Sequence, residues 1–203
     1  MQEYLLKKNV LQHIWDFVGA PLRMAMLPDT ISSKIGLTSL LDERLRAIFP
    51  LVNGKLLDIG AGDNFLANLY PDGTGVDVFD FGGGATIIDD SRDLPFPDAS
   101  FDTVTFIACL NHIPYRNEAL LEAYRVLKPR GKIIATMISP MLGTIGHAIW
   151  WYSEEKMRGM AEGEVMGISD RGMLDLLNQA GFSKTKRTTF LYGMNRLYCG
   201  FRD

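Results

Sequence analysis

The sequence predicts an α/β fold: a doubly wound, mostly parallel seven-stranded sheet with a C-terminal antiparallel hairpin and an N-terminal helical extension. Three observations predict it. The stretch KLLDIGAGDN at residues 55–64 is a short apolar run ending in glycines, which is how a strand buried on both faces and opening into a turn reads. Strand-like and helix-like segments then alternate, as they do in a parallel sheet covered on both sides. The last two strand-like segments are separated only by a turn at residues 193–195, so they close as a hairpin.

Residues 2–18 fit an amphipathic helix, with Leu6, Val10, Leu11, Ile14, Phe17 and Val18 on one face and Lys8, Asn9, Gln12 and Asp16 on the other. Gly19 and Pro21 are expected to stop it. It reads as a helix packed on the domain, a cover for a pocket, or a peripheral membrane-surface anchor, although its polar face carries few basic residues. Pro28, Ser32, Ser33 and Gly36 mark residues 28–38 as loop. Ser39 begins a capping pattern with Asp42, followed by the stripe Leu41, Leu45 and Ile48.

Leu56, Leu57 and Ile59 form the first strand, interrupted by Asp58, a carboxylate that is costly there unless something binds it. Gly60 and Gly62 supply a turn where backbone can approach a ligand. Phe65, Leu66 and Leu69 start a helix whose first N–H groups face that turn. Further strands are expected at residues 74–79, 86–89, 101–108 and 131–138. A helix over 116–128 is expected to stop at Pro129. Residues 143–168 read as irregular or helical. Ser169 caps a helix through Ala180 that ends at Gly181, and the hairpin strands span 186–192 and 196–202. Neither repeat nor linker is visible. The chain therefore reads as one domain, 1–203, with a helical cover (1–50), a binding core (51–142), an acceptor lid (143–168) and a terminal helix and hairpin (169–203).

At 203 residues, 47% of them apolar and 22% charged, the composition is that of an ordinary globule. A net charge of −3 argues against nucleic acid as a partner. The clusters Lys128, Arg130, Lys132 and Lys184, Lys186, Arg187 read as solvated edges. Cys109 and Cys199 show no metal-type spacing and read as small core hydrophobes in a reducing compartment. The first residues lack the order of a signal peptide, and no apolar stretch reaches bilayer length. The expectation is a cytoplasmic protein with no transmembrane segment and no metal.

Gly60-x-Gly62 alone does not fix the ligand, because the third glycine of a dinucleotide fingerprint would fall at Phe65. Asp77, ending the second strand, suits a ribose diol, whose two hydroxyls a carboxylate can accept. That serves nicotinamide and adenosyl cofactors alike. The segments DSRDLPFPDASFD at 90–102 and LKPRG at 127–131 decide between them. Together with residues 55–64 they resemble the class I S-adenosylmethionine-dependent methyltransferases, in the branch of small single-domain bacterial members. The resemblance covers residues 55–138, and more loosely LNQAGF at 177–182.

The resemblance implies a Rossmann-like fold, S-adenosyl-L-methionine as cofactor and S-adenosyl-L-homocysteine as its product. It places Asp58, Gly60, Ala61 and Gly62 under the methionine part, Asp77 on the ribose and Val78 beside the adenine. Asp90 would accept from the adenine amino group, the Ser91 N–H would meet a ring nitrogen, and Ala108 would lie near the methionine amine. Asn64 and Arg130 stand where the family often has glycine, and the Asp77–Asp90 connection is too short for the usual helix. Its Gly82–Gly84 run suggests a bare loop and a more open adenine side.

Transfer from a sulfonium is governed mainly by positioning and exclusion of water. A base is needed only where the acceptor loses a proton. His112 and His147 are the candidates, each with a purely structural role as the alternative. Trp150, Trp151 and Tyr152 are candidate acceptor contacts, with plain packing as the alternative. The expected function is methyl transfer to a small-molecule or lipid-linked acceptor; the alternative is a non-catalytic adenosyl-cofactor-binding partner protein. A nicotinamide oxidoreductase is disfavoured by Phe65 and by the 90–102 segment.

Overall fold

A computed structural model describes residues 8–25 (backbone alone for 20–25), 34–138, 162–165 and 167–203. His147, Trp150, Trp151 and Tyr152, with most of the segment 143–168, lie outside the described residues, as do residues 2–7 of the first expected helix.

Two helices, α1 (Val10–Ala25) and α2 (Leu40–Ile48), precede β1 (Leu56–Ile59), α3 (Phe65–Leu69), β2 (Gly73–Asp77) and β3 (Thr86–Ile87). Then come β4 (Phe101–Ile107), α4 (Arg116–Val126), β5 (Leu127–Ile138), α5 (Asp170–Gln179), β6 (Ser183–Phe190) and β7 (Asn195–Phe201). The seven strands form one sheet in the order β3-β2-β1-β4-β5-β7-β6. Strands β1 to β5 pair in parallel, and β7 runs antiparallel to both β5 and β6. The mostly parallel sheet and the closing hairpin are as expected from the sequence.

Strand alternation divides the core between the two faces of the sheet. Leu57, Val104, Phe106, Ile133 and Tyr198 pack with Leu120 and Ala123 of α4 and Met173 and Leu177 of α5. Leu56, Ile134 and Leu197 pack on the other side with Leu45 and Ile48 of α2, Phe49 and Leu66 of α3. Ser39 caps α2 by accepting from the Asp42 N–H at 2.9 Å, and Ser169 caps α5 by accepting from the Gly172 N–H at 3.1 Å. Gly181, at φ +94°, ends the turn after α5.

Two elements depart from expectation. Helix α1 runs through Gly19 and Pro21 to Ala25. Gly19 admits a close approach, since a Cβ there would lie 2.5 Å from Leu37 Cδ2, and Pro21 removes one hydrogen-bond rung without ending the helix. The helix also sits with its polar face inward. Asp16 is 0% exposed and accepts from Lys8 Nζ (2.6 Å), Gln12 Nε2 (3.0 Å), Thr38 N (2.8 Å) and Thr38 Oγ1 (2.7 Å). Burial alone would raise its pKa, but the bonds from Lys8 and Thr38 outweigh that and hold the carboxyl below its usual range. Val10, Leu11, Ile14, Phe17 and Val18 consequently face outward, 57–78% exposed.

The second departure is at the end of α4, which stops at Val126; β5 begins at Leu127 rather than at 131. Phe101 pairs with Leu127 and Thr103 with Lys132, so residues 128–131 bulge opposite Asp102. Pro129 fits because a bulge needs no ladder N–H from it. Lys128 Nζ holds Asp102 Oδ2 at 2.7 Å across the bulge, and Arg130 N and Gly131 O bond Arg202 backbone groups at 2.8 and 2.9 Å.

Candidate cofactor and acceptor site

The cavity, about 410 Å³, opens at the carboxyl ends of β1, β2 and β4. In the strand order this is where the winding of the sheet reverses, the usual ligand position in open α/β sheets. The volume lies within the roughly 300–1,000 Å³ typical of small-molecule sites. Asp58, Gly60, Ala61, Gly62, Asp77, Val78, Ser91, Ala108 and His112 all line it.

The glycine turn is sewn to β2 by backbone. Gly60 N and Ala61 N both donate to Val76 O, at 2.9 and 3.1 Å. Asp77 completes it: Oδ2 accepts from Gly62 N at 2.8 Å and Oδ1 from Phe79 N at 3.1 Å. Gly60 (φ +69°) and Gly62 (φ +53°) both take the left-handed region, for different reasons. A Cβ on Gly60 would sit 2.8 Å from the Cβ and Sγ of Cys109, whereas one on Gly62 would meet nothing within 4 Å. Gly60 is bare so that the fold can close, and Gly62 leaves space above the turn. Asn64 keeps the glycine-like backbone at φ 58°, and Arg130 does so at φ 66°. Ala108 also sits at φ 53°, its N–H fixed by the Thr136 hydroxyl at 3.1 Å.

Asp58 is fully buried beneath the turn. Burial pushes its pKa up to about 7; the hydrogen bond from Thr105 Oγ1, at 2.6 Å, opposes this, and the nearby Asp77 charge adds to it. Asp90 does not line the cavity: its carboxylate holds Arg92 Nε at 2.7 Å and Arg92 N at 2.8 Å. The Arg92 hydrogen bond, offset in part by burial, keeps Asp90 below the usual carboxylate range.

The short Asp77–Asp90 connection contains no helix. Its backbone lies against α3 and the turn that precedes it: Asn68 Nδ2 donates to Gly83 O at 3.0 Å, and a Cβ on Gly83 would lie 2.1 Å from Asp63 O. Phe79 and Phe81, both lining the cavity, pack edge to face with centroids 4.8 Å apart. The sequence places Phe79 in the expected strand 74–79, but the strand ends at Asp77; the two aromatics bracketing Asp80 are the signal for this wall of the cavity. Leu41 and Arg44 of α2 and Cys109 line the cavity as well; the sequence reads Leu41 as a packing position and Cys109 as a core hydrophobe, but Cys109 is only half-buried, and the local pattern marks none of the three as cavity-lining.

At the β4 side, His112 lies in the single turn Leu110–His112. Its Nε2 is 2.9 Å from Asn111 Nδ2, and its Nδ1 is 3.2 Å from Glu164 Oε2. Glu164 carried no signal in the sequence, being one acid among several in residues 154–164.

The cradle fits an adenosyl-methionine group: open space above Gly62, a strand-end carboxylate at Asp77, and apolar Val78 and Phe79 beside it. Fold, turn and strand-end acid are those that the resemblance to the class I S-adenosylmethionine-dependent methyltransferases implies. Residues 57–135 match the family model described as a methyltransferase domain. The chain is 28% identical over 127 residues to a ubiquinone/menaquinone biosynthesis C-methyltransferase of Vibrio parahaemolyticus, covering 55% of this chain and 49% of that protein. A Bordetella avium protein of the same name is also 28% identical over 127 residues, covering 56% and 50%. The chain thus spans about half the length of the curated relatives it matches. Among solved structures, a Thermotoga maritima S-adenosylmethionine-dependent methyltransferase, described as a possible histamine N-methyltransferase, superposes with TM-score 0.64 at 21% identity, covering 79% of this chain and 88% of that one. An Archaeoglobus fulgidus S-adenosylmethionine-dependent methyltransferase gives 0.63 at 17% identity, covering 85% and 98%. Residues 57–135 thus match a methyltransferase domain, and S-adenosyl-L-methionine is the cofactor that such a domain and fold imply.

Proposed function

We propose that this chain transfers a methyl group from S-adenosylmethionine to a small-molecule or lipid-linked acceptor, leaving S-adenosylhomocysteine. The observation that carries the reading is the coupling of Asp77 to Gly62 at 2.8 Å, which fixes an open glycine cradle and a diol-accepting carboxylate relative to each other. The cofactor supplies an already activated methyl group, so the protein's part is to bind, orient and exclude water. Asp58, Gly60, Ala61, Gly62 and Ala108 would hold its methionine end, Asp77 and Val78 the ribose and adenine, with Ser91 beyond. Asp90 would reach the adenine only by releasing part of its hold on Arg92.

The quinone-pathway names of the relatives favour an acceptor with a ring, and the apolar Leu41, Ile107 and Ile113 in the cavity wall suit one. Asn64 and Arg130 retain glycine-type backbone, so these departures do not favour the non-catalytic reading. The same proposal places the protein in the cytoplasm; no helix among the described residues is long and apolar enough to cross a membrane. Calorimetry with S-adenosylmethionine, S-adenosylhomocysteine and NAD tests it. The first two should bind and raise the melting temperature, and NAD should do neither. No thermal shift with either adenosyl compound at saturation overturns the proposal.

A further inference from the structure

Helix α1 turns its apolar side to the solvent. At the helical repeat, Phe17, Val10, Ile14, Val18, Leu11 and Trp15 fall on one arc of roughly 160°. Each of them is more than half exposed. The opposite arc is fastened to the domain. Gln12 Nε2 donates to Gly36 O at 2.9 Å. The buried Asp16 carboxylate accepts from both the N–H and the hydroxyl of Thr38, the residue before the Ser39 cap of α2. Lys8, its side chain 7% exposed, bridges Asp16 to Glu43 of α2. Rolling the helix over to bury the stripe would break every one of these bonds and strand a carboxylate, so the fold holds the stripe outward.

We infer that α1 is an insertion element for the interface of a negatively charged lipid bilayer. The inference concerns binding alone and does not depend on the methyltransferase reading. Size selects that occupant over a second protein surface. A stripe one helix long, about 24 Å by about 10 Å, is far smaller than the roughly 800 Å² per partner that a stable protein–protein interface buries. A bilayer needs no matching surface, because affinity for it grows with each apolar side chain that enters. Charge points the same way. Asp16 is the only acid in α1 and it is buried, so the stripe offers no carboxylate to lipid headgroups. Exposed Lys34 precedes Ile35 on the Trp15 flank. On the other flank α1 rests on the turn after β6, where Tyr192 OH donates to His13 O at 2.8 Å. Strand β6 brings exposed Lys186 to that flank: it pairs with Cys199, which packs on the α2 side of the sheet. The cations therefore come from outside the helix, whose own polar arc is turned inward. The aromatics complete the stripe. Trp15 satisfies its indole N–H on Ile35 O at 3.1 Å while half of the side chain stays exposed, and Phe17 meets Tyr192 edge to face at 5.2 Å. Such amphipathic rings settle at headgroup level.

Flotation of the full chain with phosphatidylcholine vesicles, with and without about one-third phosphatidylglycerol, tests the inference. Expected is binding to both, at least about tenfold tighter on the anionic vesicles. Leu11→Glu combined with Val18→Glu should weaken binding to both at least about tenfold, with an unchanged melting temperature because neither side chain is buried. Lys34→Gln combined with Lys186→Gln should erase the anionic preference and keep the binding to phosphatidylcholine. Bromine-labelled lipid should quench the tryptophan fluorescence of the wild type, and Trp15→Phe should remove most of that quenching. A chain that stays in solution beside anionic vesicles, a double Glu variant that floats like the wild type, an anionic preference that outlives both lysines, or quenching that survives Trp15→Phe overturns the inference. So does a concentration-dependent dimer in vesicle-free ultracentrifugation that the two Glu substitutions break apart, since that assigns the stripe to a second copy of the chain.

Discussion

On one side of the cavity, Gly62 and Asp77 stand 15 positions apart and are joined by a hydrogen bond from backbone N–H to carboxylate. On the other, His112 and Glu164 are 52 positions apart and joined through side chains alone. The first side is made by one strand–turn–helix–strand unit, whose glycines and terminal acids leave a readable trace. The second exists only because two separate segments, 110–116 and 162–165, meet in three dimensions. The side proposed to hold the cofactor should therefore respond to backbone and burial changes, and the side proposed to face the acceptor to changes that loosen tertiary contact.

The largest expected effect is on the cofactor side, at Asp58. Its folded pKa of about 7 lies above the ordinary value of 3.8, so between those values the folded protein binds the extra proton. Stability contributed by this carboxyl is full below about pH 4, falls as pH rises towards 7, and is flat above. The lost amount is on the order of 4 kcal/mol, from 1.36 kcal/mol per unit. Asp58→Asn removes this dependence. Urea unfolding from pH 4 to 8 should show the Asn variant gaining on the wild type by that order, whatever constant offset the amide introduces. Parallel curves would mean that Asp58 remains ionised in the fold.

Next in size is a contrast between neighbours in the turn. Gly60→Ala brings a Cβ to 2.8 Å from Cys109 at a positive φ, and should cost about 2–4 kcal/mol of stability through strain and overpacking. Gly62→Ala meets no atom within 4 Å, so about 1–2 kcal/mol of backbone strain is expected. Its added methyl instead enters the space above the turn, and affinity for S-adenosylhomocysteine should fall at least about tenfold. Denaturation and calorimetry on the same two proteins check both halves. Equal loss of affinity at equal loss of stability would erase the distinction between a glycine needed for packing and one needed for the ligand.

The smallest effect belongs to the acceptor side. Gly163→Ala combines φ +94° with a 3.0 Å approach to Pro114, at a cost of about 1–2 kcal/mol. Hydrogen exchange at Val165 N–H, which bonds Asn111 O, should accelerate, while S-adenosylhomocysteine affinity stays within about twofold. A drop in cofactor affinity as large as that of Gly62→Ala would show that the two sides of the cavity are not separable.

Most of the sheet, the caps at Ser39 and Ser169, the turn at Gly60 and Gly62 and the acid at Asp77 could be read from the chain, because each depends on residues within about a turn or a strand of one another. Periodicity and φ preference are local properties, and they carry that far. What they do not carry is the neighbour an element will meet. The apolar stripe of α1 was legible, but its direction was not: four hydrogen bonds to the Asp16 carboxylate, two of them from Thr38, turn the polar face inward and leave Val10, Leu11 and Ile14 outside. The β5 bulge at residues 128–131 likewise depends on the register with β4 and on Arg202, more than 70 residues away. Glu164 shows the limit most plainly. Nothing beside it in the chain distinguishes it from other acids; a side chain only 1% exposed and 3.2 Å from His112 does, and burial of an acid is settled only when distant segments pack.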